Sequence, residues 1–324
     1  MMSEFDLIAK YFTRPTQRAV LGVGDDCALL EPSVRMHQCI TSDMLVEGRH
    51  FLSTVDPYRL GVKSLAVNLS DLAACGATPT AFTLSLALPQ LDVNWLEQFS
   101  KGLWDTAIEY GIDLVGGDTT RGPLCIGITA LGEVPPGDAL LRSGAFEGDD
   151  IYVSGTLGDA ALALDVFRGH TSVDSRAFER IRRRLEQPTP RVALGVALRG
   201  VANACIDVSD GLVGDLNHIL QRSQVGAVLT TDWVNQSAAI SKDMQELSYS
   251  NRLDYVLGGG DDYELVFTAR QTAREDVVSA SEQSNTKVTL IGQITKERGL
   301  KVLDSDGELI TRRFLSFDHF QRSN

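Results

Sequence analysis

The chain has 324 residues, more than one hydrophobic core usually supports, so two domains are expected. Its 43% hydrophobic and 23% charged residues are those of an ordinary globular protein, and 30 basic against 43 acidic residues leave a formal charge of -13. That balance argues against nucleic acid or an anionic membrane as partner, because both repel an acidic surface; nucleotides stay admissible, since bound cations reverse the local sign.

From the N-terminus, the pattern predicts a short amphipathic helix over residues 5–12, with Phe5, Ile8, Ala9 and Phe12 on one face. An apolar run from Ala19 enters Gly24-Asp25-Asp26, and residues 27–30 and 38–41 read as short strands, the second delivering Ser42 and Asp43 just beyond its end. Asp56 and Pro57 look like an N-cap and first helical residue, opening a helix that reaches Ala74 and is closed by Gly76. Residues 83–88 are strand-like, 93–110 form a second helix, 114–115 run into Gly116-Gly117-Asp118-Thr119-Thr120, and 126–134 give another strand. This βαββαβ-like order predicts a compact α+β unit rather than an alternating nucleotide-binding sheet.

Pro135, Pro136 and Gly137 mark a connection, so the domains are set at 1–137 and 138–324. In the second, a strand at 151–153 leads through Gly155 to Gly158 into a helix at 159–167. A helix at 178–185 carries Arg180, Arg182, Arg183 and Arg184 as a solvated face, and another is expected at 191–203. A strand at 205–208 delivers Ser209 and Asp210 to a helix at 212–221, and three glycines precede Asp261-Asp262-Tyr263-Glu264 and a strand at 265–268. A mixed-sheet α+β domain is the expectation for this half, and it rests on the family resemblance described below.

Cys27, Cys39, Cys75, Cys125 and Cys205 are far apart, without Cys-x-x-Cys spacing, and read as reduced core residues. Residues 1–11 lack a basic segment followed by a long apolar one, and no run approaches eighteen apolar residues, so a cytoplasmic protein is expected.

The chemistry lies in the aspartates. Asp25, Asp26, Asp43, Asp71, Asp118, Asp207, Asp210, Asp261 and Asp262 sit in short clusters beside glycine, serine or threonine. Carboxylates this dense repel unless cations intervene, and magnesium favours hard oxygen ligands shared with phosphates. Thr41, Ser42 and Asp43 offer such oxygens within three residues. Asp71 is placed near a helix C-terminus, where the dipole disfavours an anion, and reads either as a solvated surface residue or as one whose penalty a nearby cation relieves. Gly116-Gly117-Asp118 reads either as a phosphate-cradling backbone or as a turn, and Asp210 either as a ligand at a strand end or as a helix cap. Asp149 and Asp150, although preceded by Gly148, read as a solvated strand entry. No Walker loop, zinc spacing or Ser/His or Cys/His nucleophile pattern is present.

Taken together, Gly24-Asp25-Asp26-Cys27-Ala28, Ser42-Asp43, Asn68 to Ala74, Gly116 to Thr120, Arg142-Ser143-Gly144-Ala145, Asp207 to Leu212 and Asp262-Tyr263-Glu264-Leu265 resemble the thiamine-monophosphate kinase family, in its order and over nearly the whole chain. That family belongs with aminoimidazole ribonucleotide and selenophosphate synthetases. The resemblance implies two α+β domains: an N-terminal one that binds ATP and magnesium and whose sheet pairs in a homodimer barrel, and a C-terminal one that completes the active site. It implies several Mg²⁺ ions held by Asp26, Thr41, Ser42, Asp43, Asp71, Asp118, Asp207 and Asp210, with Asp26, Asp71, Asp118 and Asp210 catalytic. Gly117, Asp118, Arg142 and Ser209 would contact ATP, and His50, Asp261 and Phe317 would contact thiamine monophosphate. The chain departs from the family at Asp261, commonly Glu, and at Phe317, often another aromatic. The implied reaction makes thiamine diphosphate, the last step of its biosynthesis, by in-line phosphoryl transfer. The rivals are another ATP-dependent synthetase of the superfamily, aminoimidazole ribonucleotide synthetase-like or selenophosphate synthetase-like, and a non-catalytic cation- or ATP-binding protein; a selenophosphate synthetase would carry a reactive cysteine in its N-terminal segment, where none precedes Cys27, and the hydrogenase-maturation relative a C-terminal one, where residues 321–324 have none.

Overall fold

The computed structural model describes residues 3–236, 239–314, 316 and 317; residues 321–324 lie outside them. The chain divides into two compact units, residues 1–72 with 77–139 and residues 73–76 with 140–324.

The first unit opens with α1 (Glu4–Leu7), which runs on as a π-helical turn over Ile8–Phe12. The wider turn presents Leu7, Tyr11 and Phe12 to the core and leaves Phe5 81% exposed, so the buried face is not the one expected. A small antiparallel pair follows, β1 (Ala19–Leu21) and β2 (Leu29–Leu30). Then come β3 (His37–Val46), α2 (Pro57–Ala74), β4 (Thr78–Leu88), α3 (Val93–Tyr110), β5 (Asp113–Arg121) and β6 (Cys125–Val134).

Their four-stranded sheet has the order β3-β6-β4-β5, antiparallel except between β4 and β5. The expected α+β unit is thus present, with the second helix one strand earlier than the βαββαβ-like reading placed it. The helices begin and end where the local chemistry predicts. Asp56 Oδ1 accepts the Arg59 amide, the Asp92 side chain caps Asn94 and Trp95, and Gly111 closes α3 in the left-handed region. Across the pair, a Cβ on Gly61 would lie 2.1 Å from the Phe99 carbonyl and one on Gly102 2.0 Å from that of Tyr58. This close crossing fixes α2, and with it the residues α2 presents to β3.

The second unit contains β7 (Asp150–Ser154), α4 (Asp159–Phe167), α5 (Ser175–Glu186), α6 (Val192–Ala197), β8 (Ala204–Val208), α7 (Leu212–Ser223) and β9 (Gly226–Thr230). Single turns α8 (Asp232–Asn235) and α9 (Lys242–Gln245) lead to α10 (Tyr249–Gly258), β10 (Glu264–Ala269), α11 (Arg274–Gln283), β11 (Val288–Thr295) and β12 (Gly299–Leu303). Six strands form a mixed sheet, β12-β9-β11-β7-β10-β8, with only β12 and β9 parallel. Ile151, Val153, Ile206, Val208, Leu216, Ile219, Val256 and Val266 build its core. The helix expected over 191–203 is only α6. Among the described residues no helix is long and apolar enough to cross a membrane. Of the five free cysteines only Cys205 is buried, and Cys27 is exposed, so the core reading holds for one of them.

Candidate active site

In the first unit β3 does not stop before Ser42. It continues to Val46 because β6 pairs with it residue by residue, from His37 with Val134 to Val46 with Cys125. Strand alternation then separates the three expected ligands. Thr41 and Asp43 face α2, whereas Ser42 is exposed on the opposite face, its hydroxyl 3.0 Å from that of Thr129 directly across the pair.

On the α2 side the Thr41 hydroxyl donates to Asp71 Oδ2, and the Asp43 amide donates to Asn68 Oδ1 at 3.2 Å. Asn68, which the sequence offered only as part of a motif, thus ties α2 to the β3 backbone at Asp43. Its spacing from Asp71, one helical turn, is the signal that both face β3. Burial, and next the charge of Asp71, push the Asp43 carboxyl from an ordinary 3.8 up to about 7. His50 is held in the turn after β3, where Nδ1 accepts the Val46 amide at 3.0 Å. With Nδ1 accepting, the neutral ring carries its proton on Nε2.

Asp25 and Asp26 are exposed, with the Asp26 amide bonded to Asp25 Oδ1 at 2.8 Å. Gly116-Gly117-Asp118 is not a turn but the middle of β5. Gly117 has φ 149°, and a Cβ there would lie 1.8 Å from the Leu84 carbonyl, so only glycine lets β5 lie this close to β4. Asp118 is exposed. Beyond it, Thr119, Thr120 and Arg121 line a cleft of about 460 Å³ with Leu7, Leu88 and Leu91.

In the second unit β8 carries the buried Asp207 and leads from Val208 into the partly exposed Ser209 and Asp210. Asp210 does not cap α7; Gly211 holds the N-cap position, and the Asp215 side chain reaches back to the turn. The loop before β10 lies against this turn, with the Asp261 amide donating to Ser209 O and the Tyr263 amide to Val208 O, both at 2.8 Å. Asp261 and Tyr263 are non-glycine residues at φ 66° and 52°, a conformation kept where surrounding contacts over-determine it. Tyr263 Oη donates to Asp261 Oδ1 at 3.2 Å. Phe317 is 45% exposed while its amide donates to Asp210 O at 2.9 Å. Arg142 is exposed, and the next residues are tied down by Ser223 Oγ, which accepts the Gly144 and Ala145 amides.

Three readings are corrected by burial. Asp149 and Asp150 are each 2% exposed rather than solvated. Asp149 Oδ2 accepts from the Phe146 amide and Asn203 Nδ2, and Asp150 takes a bidentate pair from Arg274. Arg184 leaves the solvated face of α5 to pair, together with Arg191, with the fully buried Glu264. Asp262 also turns inward, where Oδ2 accepts the Gly158 amide at 2.8 Å and burial pushes its carboxyl well up.

Among the described residues no three His, Cys, Asp or Glu side chains converge into a complete cage. What the first unit brings together is a hydroxyl with a carboxylate, Thr41 with Asp71, hard oxygens of the kind that could hold a magnesium ion which keeps water and takes phosphate oxygens. The mutual repulsion at Asp43 and Asp71 fits a divalent cation.

Family models meet this architecture in both halves: the AIR synthase related protein, N-terminal domain, over residues 24–134, and the C-terminal domain over 136–305. These define the class of two-domain α+β proteins to which the sheets and aspartate motifs conform. Thiamine-monophosphate kinase of Escherichia coli (strain K12) is 43% identical over 321 residues, 98% of each chain. The crystal structure of thiamine-monophosphate kinase from Stenotrophomonas maltophilia K279a superposes with a TM-score of 0.84 at 44% identity, covering 94% of this chain and 95% of that one. AaThiL complexed with AMPPCP and TMP follows at 0.77 and 30% identity, covering 90% and 89%. The chain belongs to the thiamine-monophosphate kinase family.

Proposed function

We infer that this chain is an ATP-dependent phosphotransferase that converts thiamine monophosphate to thiamine diphosphate. The observation that carries the reading is the half-buried pair Asp43 and Asp71 on a chain that matches kinases of this acceptor over 98% of its length. A solved relative holding AMPPCP, an ATP with a methylene bridge between β- and γ-phosphorus, together with TMP supports the two substrates.

An acceptor phosphate oxygen attacks the γ-phosphorus while its bond to the β,γ-bridging oxygen breaks, and ADP leaves. The attacking oxygen is already anionic at neutral pH, so no base has to remove a proton, in keeping with a chain that has no nucleophile or base motif. What the residues must do is position two polyanions and offset their charge. Asp26, Thr41, Ser42, Asp43, Asp71, Asp118, Asp207 and Asp210 are the residues we assign to several Mg²⁺ ions, which when bound neutralise phosphate charge. Gly117, Asp118, Arg142 and Ser209 are assigned to ATP, and the cleft beyond Asp118 is of a size to take its nucleoside. His50 is assigned to the acceptor as an Nε2–H donor to phosphate, with Asp261 facing the cationic thiazolium or the pyrimidine and Phe317 stacking on a ring.

Residues 1–137 are assigned ATP and magnesium binding and dimerisation, and 138–324 the remaining ligands. A homodimer is supported by β3, an edge strand whose outer face exposes Ile40 (65%) and Met44 (62%). A cytoplasmic location fits the reduced cysteines.

The test is phosphate transfer from ATP across a panel of monophosphates, with ADP and diphosphate products separated chromatographically. Thiamine diphosphate formed in step with ADP is expected. ADP formed only with another acceptor would make the chain a different synthetase of its superfamily, and no ADP with any acceptor would make it a binding protein.

A further inference from the structure

The turn after β8 is held from both of its polar sides. The amides of Ser209, Asp210 and Gly211 all donate to one atom, Asp215 Oδ2, at 3.0, 3.0 and 3.1 Å. Three successive amides converging at a helix start make the kind of cradle that elsewhere receives a phosphate. Here the chain fills it with its own carboxylate, which is 3% exposed. The carbonyls of the same turn are taken from other directions, Ser209 O by the Asp261 amide and Asp210 O by the Phe317 amide. Gly211 completes the clamp: at φ 117°, a Cβ there would lie 2.6 Å from the Gly258 carbonyl.

We propose that Asp215 is a positioning residue for the phosphoryl transfer, acting through the turn that carries Ser209 and Asp210. The proposal rests on the assignment of Asp210 to a divalent cation made above. One oxygen that takes three amides sets three peptide planes at once. It is anchored on the first turn of α7, where the Asp215 amide bonds Gly211 O at 3.0 Å and Leu212 and Leu216 are buried in the core. Because the amides are occupied, the turn presents the Asp210 side chain rather than a phosphate cradle. Remove the acceptor and the peptide planes are free to rotate, which displaces Asp210 by an amount that costs catalysis about 10²-fold when it reaches an ångström.

Asp215→Ala, Asp215→Asn and Asp210→Asn, each in the full chain, separate the possibilities. Asparagine keeps an oxygen that accepts amides, whereas alanine keeps none. For Asp215→Ala we expect kcat per folded molecule to fall about 10²-fold, with any rise in the ATP KM, through Ser209 on the same turn, smaller than the loss in kcat. The rise in melting midpoint produced by Mg²⁺ without nucleotide should be lost as well. Asp215→Asn should retain both readouts to within about threefold of the wild type. If Asp215→Ala fails to fold, Asp215→Ser, whose hydroxyl restores one acceptor, carries the same comparison at a smaller loss. A wild-type kcat and Mg²⁺ response in the alanine or serine variant would overturn the proposal, as would an asparagine variant as impaired as alanine. A defective Asp210→Asn beside a normal Asp215→Ala removes only the positioning role. An unaffected Asp210→Asn removes the cation assignment itself.

Discussion

Proton uptake by Asp43 makes the stability of the metal-free protein depend on pH in a direction opposite to that of most surface aspartates. Its carboxyl is pushed from 3.8 to about 7 by burial and by Asp71. Below 3.8 both folded and unfolded chains hold the proton. Between 3.8 and 7 the folded chain keeps a proton that the unfolded chain releases, so stability falls steadily as pH rises through this window and levels off above 7. From pH 5.5 to 8.5 the loss spans about 1.5 units at ~1.36 kcal/mol each, or roughly 2 kcal/mol. Allowing for the partial exposure of Asp43, roughly half of that remains, a fall of about 2–4 °C in melting midpoint.

The assay is thermal melting in chelator at the two pH values for the wild type and for Asp43→Asn, in which nothing titrates at this position. The difference between the two curves isolates Asp43 from other groups raised by burial, such as Asp215 at about 7. The wild type should lose more stability on going to pH 8.5. Added Mg²⁺ should raise its midpoint more at pH 8.5 than at 5.5, because at the lower pH the cation must displace a proton. Parallel pH slopes in the two proteins, or an equal Mg²⁺ response at both pH values, would refute the reasoning.

Three further outcomes are expected. Gly214→Ala puts a Cβ 2.6 Å from Ser316 Cβ, so it should unseat the Phe317 segment and raise the thiamine monophosphate KM about tenfold on the scale of one lost aromatic stack, with the ATP KM and melting midpoint little changed; equal losses for both substrates would return Phe317 to a structural role. Glu264→Gln leaves Arg184 and Arg191 facing a neutral, fully buried amide, and by the cost of breaking a buried pair should destabilise the protein by about 3–5 kcal/mol, seen as a large fall in urea midpoint. Asp150→Asn loses the charge that Arg274 grips and should lower stability by about 1–2 kcal/mol while kcat per folded molecule stays at the wild-type value, so a catalytic loss would place Asp150 with the ligands.

What could be read without a structure is what neighbouring residues decide. Both long helices of the first unit were legible from local signals: Asp56 and Pro57 open α2, and a long apolar stripe marks α3, whose caps at Asp92 and Gly111 the structure supplies. The aspartate motifs were legible for the same reason, since a carboxylate beside glycine or serine carries its chemistry in its identity. Partners far along the chain decided the rest. Gly24-Asp25-Asp26 and Gly148-Asp149-Asp150 share one signature, yet the first is exposed and the second buried, because Arg274, 124 residues away, meets Asp150. Ser42 lies on the far side of β3 from Thr41 and Asp43 because pairing with β6 carries the strand through all three. The Asp43 pKa follows from burial against α2 and the nearness of Asp71, and Arg184 becomes half of a buried ion pair only because Glu264 lies beneath it. Sequence neighbours set dihedral preference and ligand chemistry; which face a strand turns to the core, and whether a charge is buried or wet, is settled by whole elements packing together, which sets both the repulsion between carboxylates and the cost of leaving them without a cation.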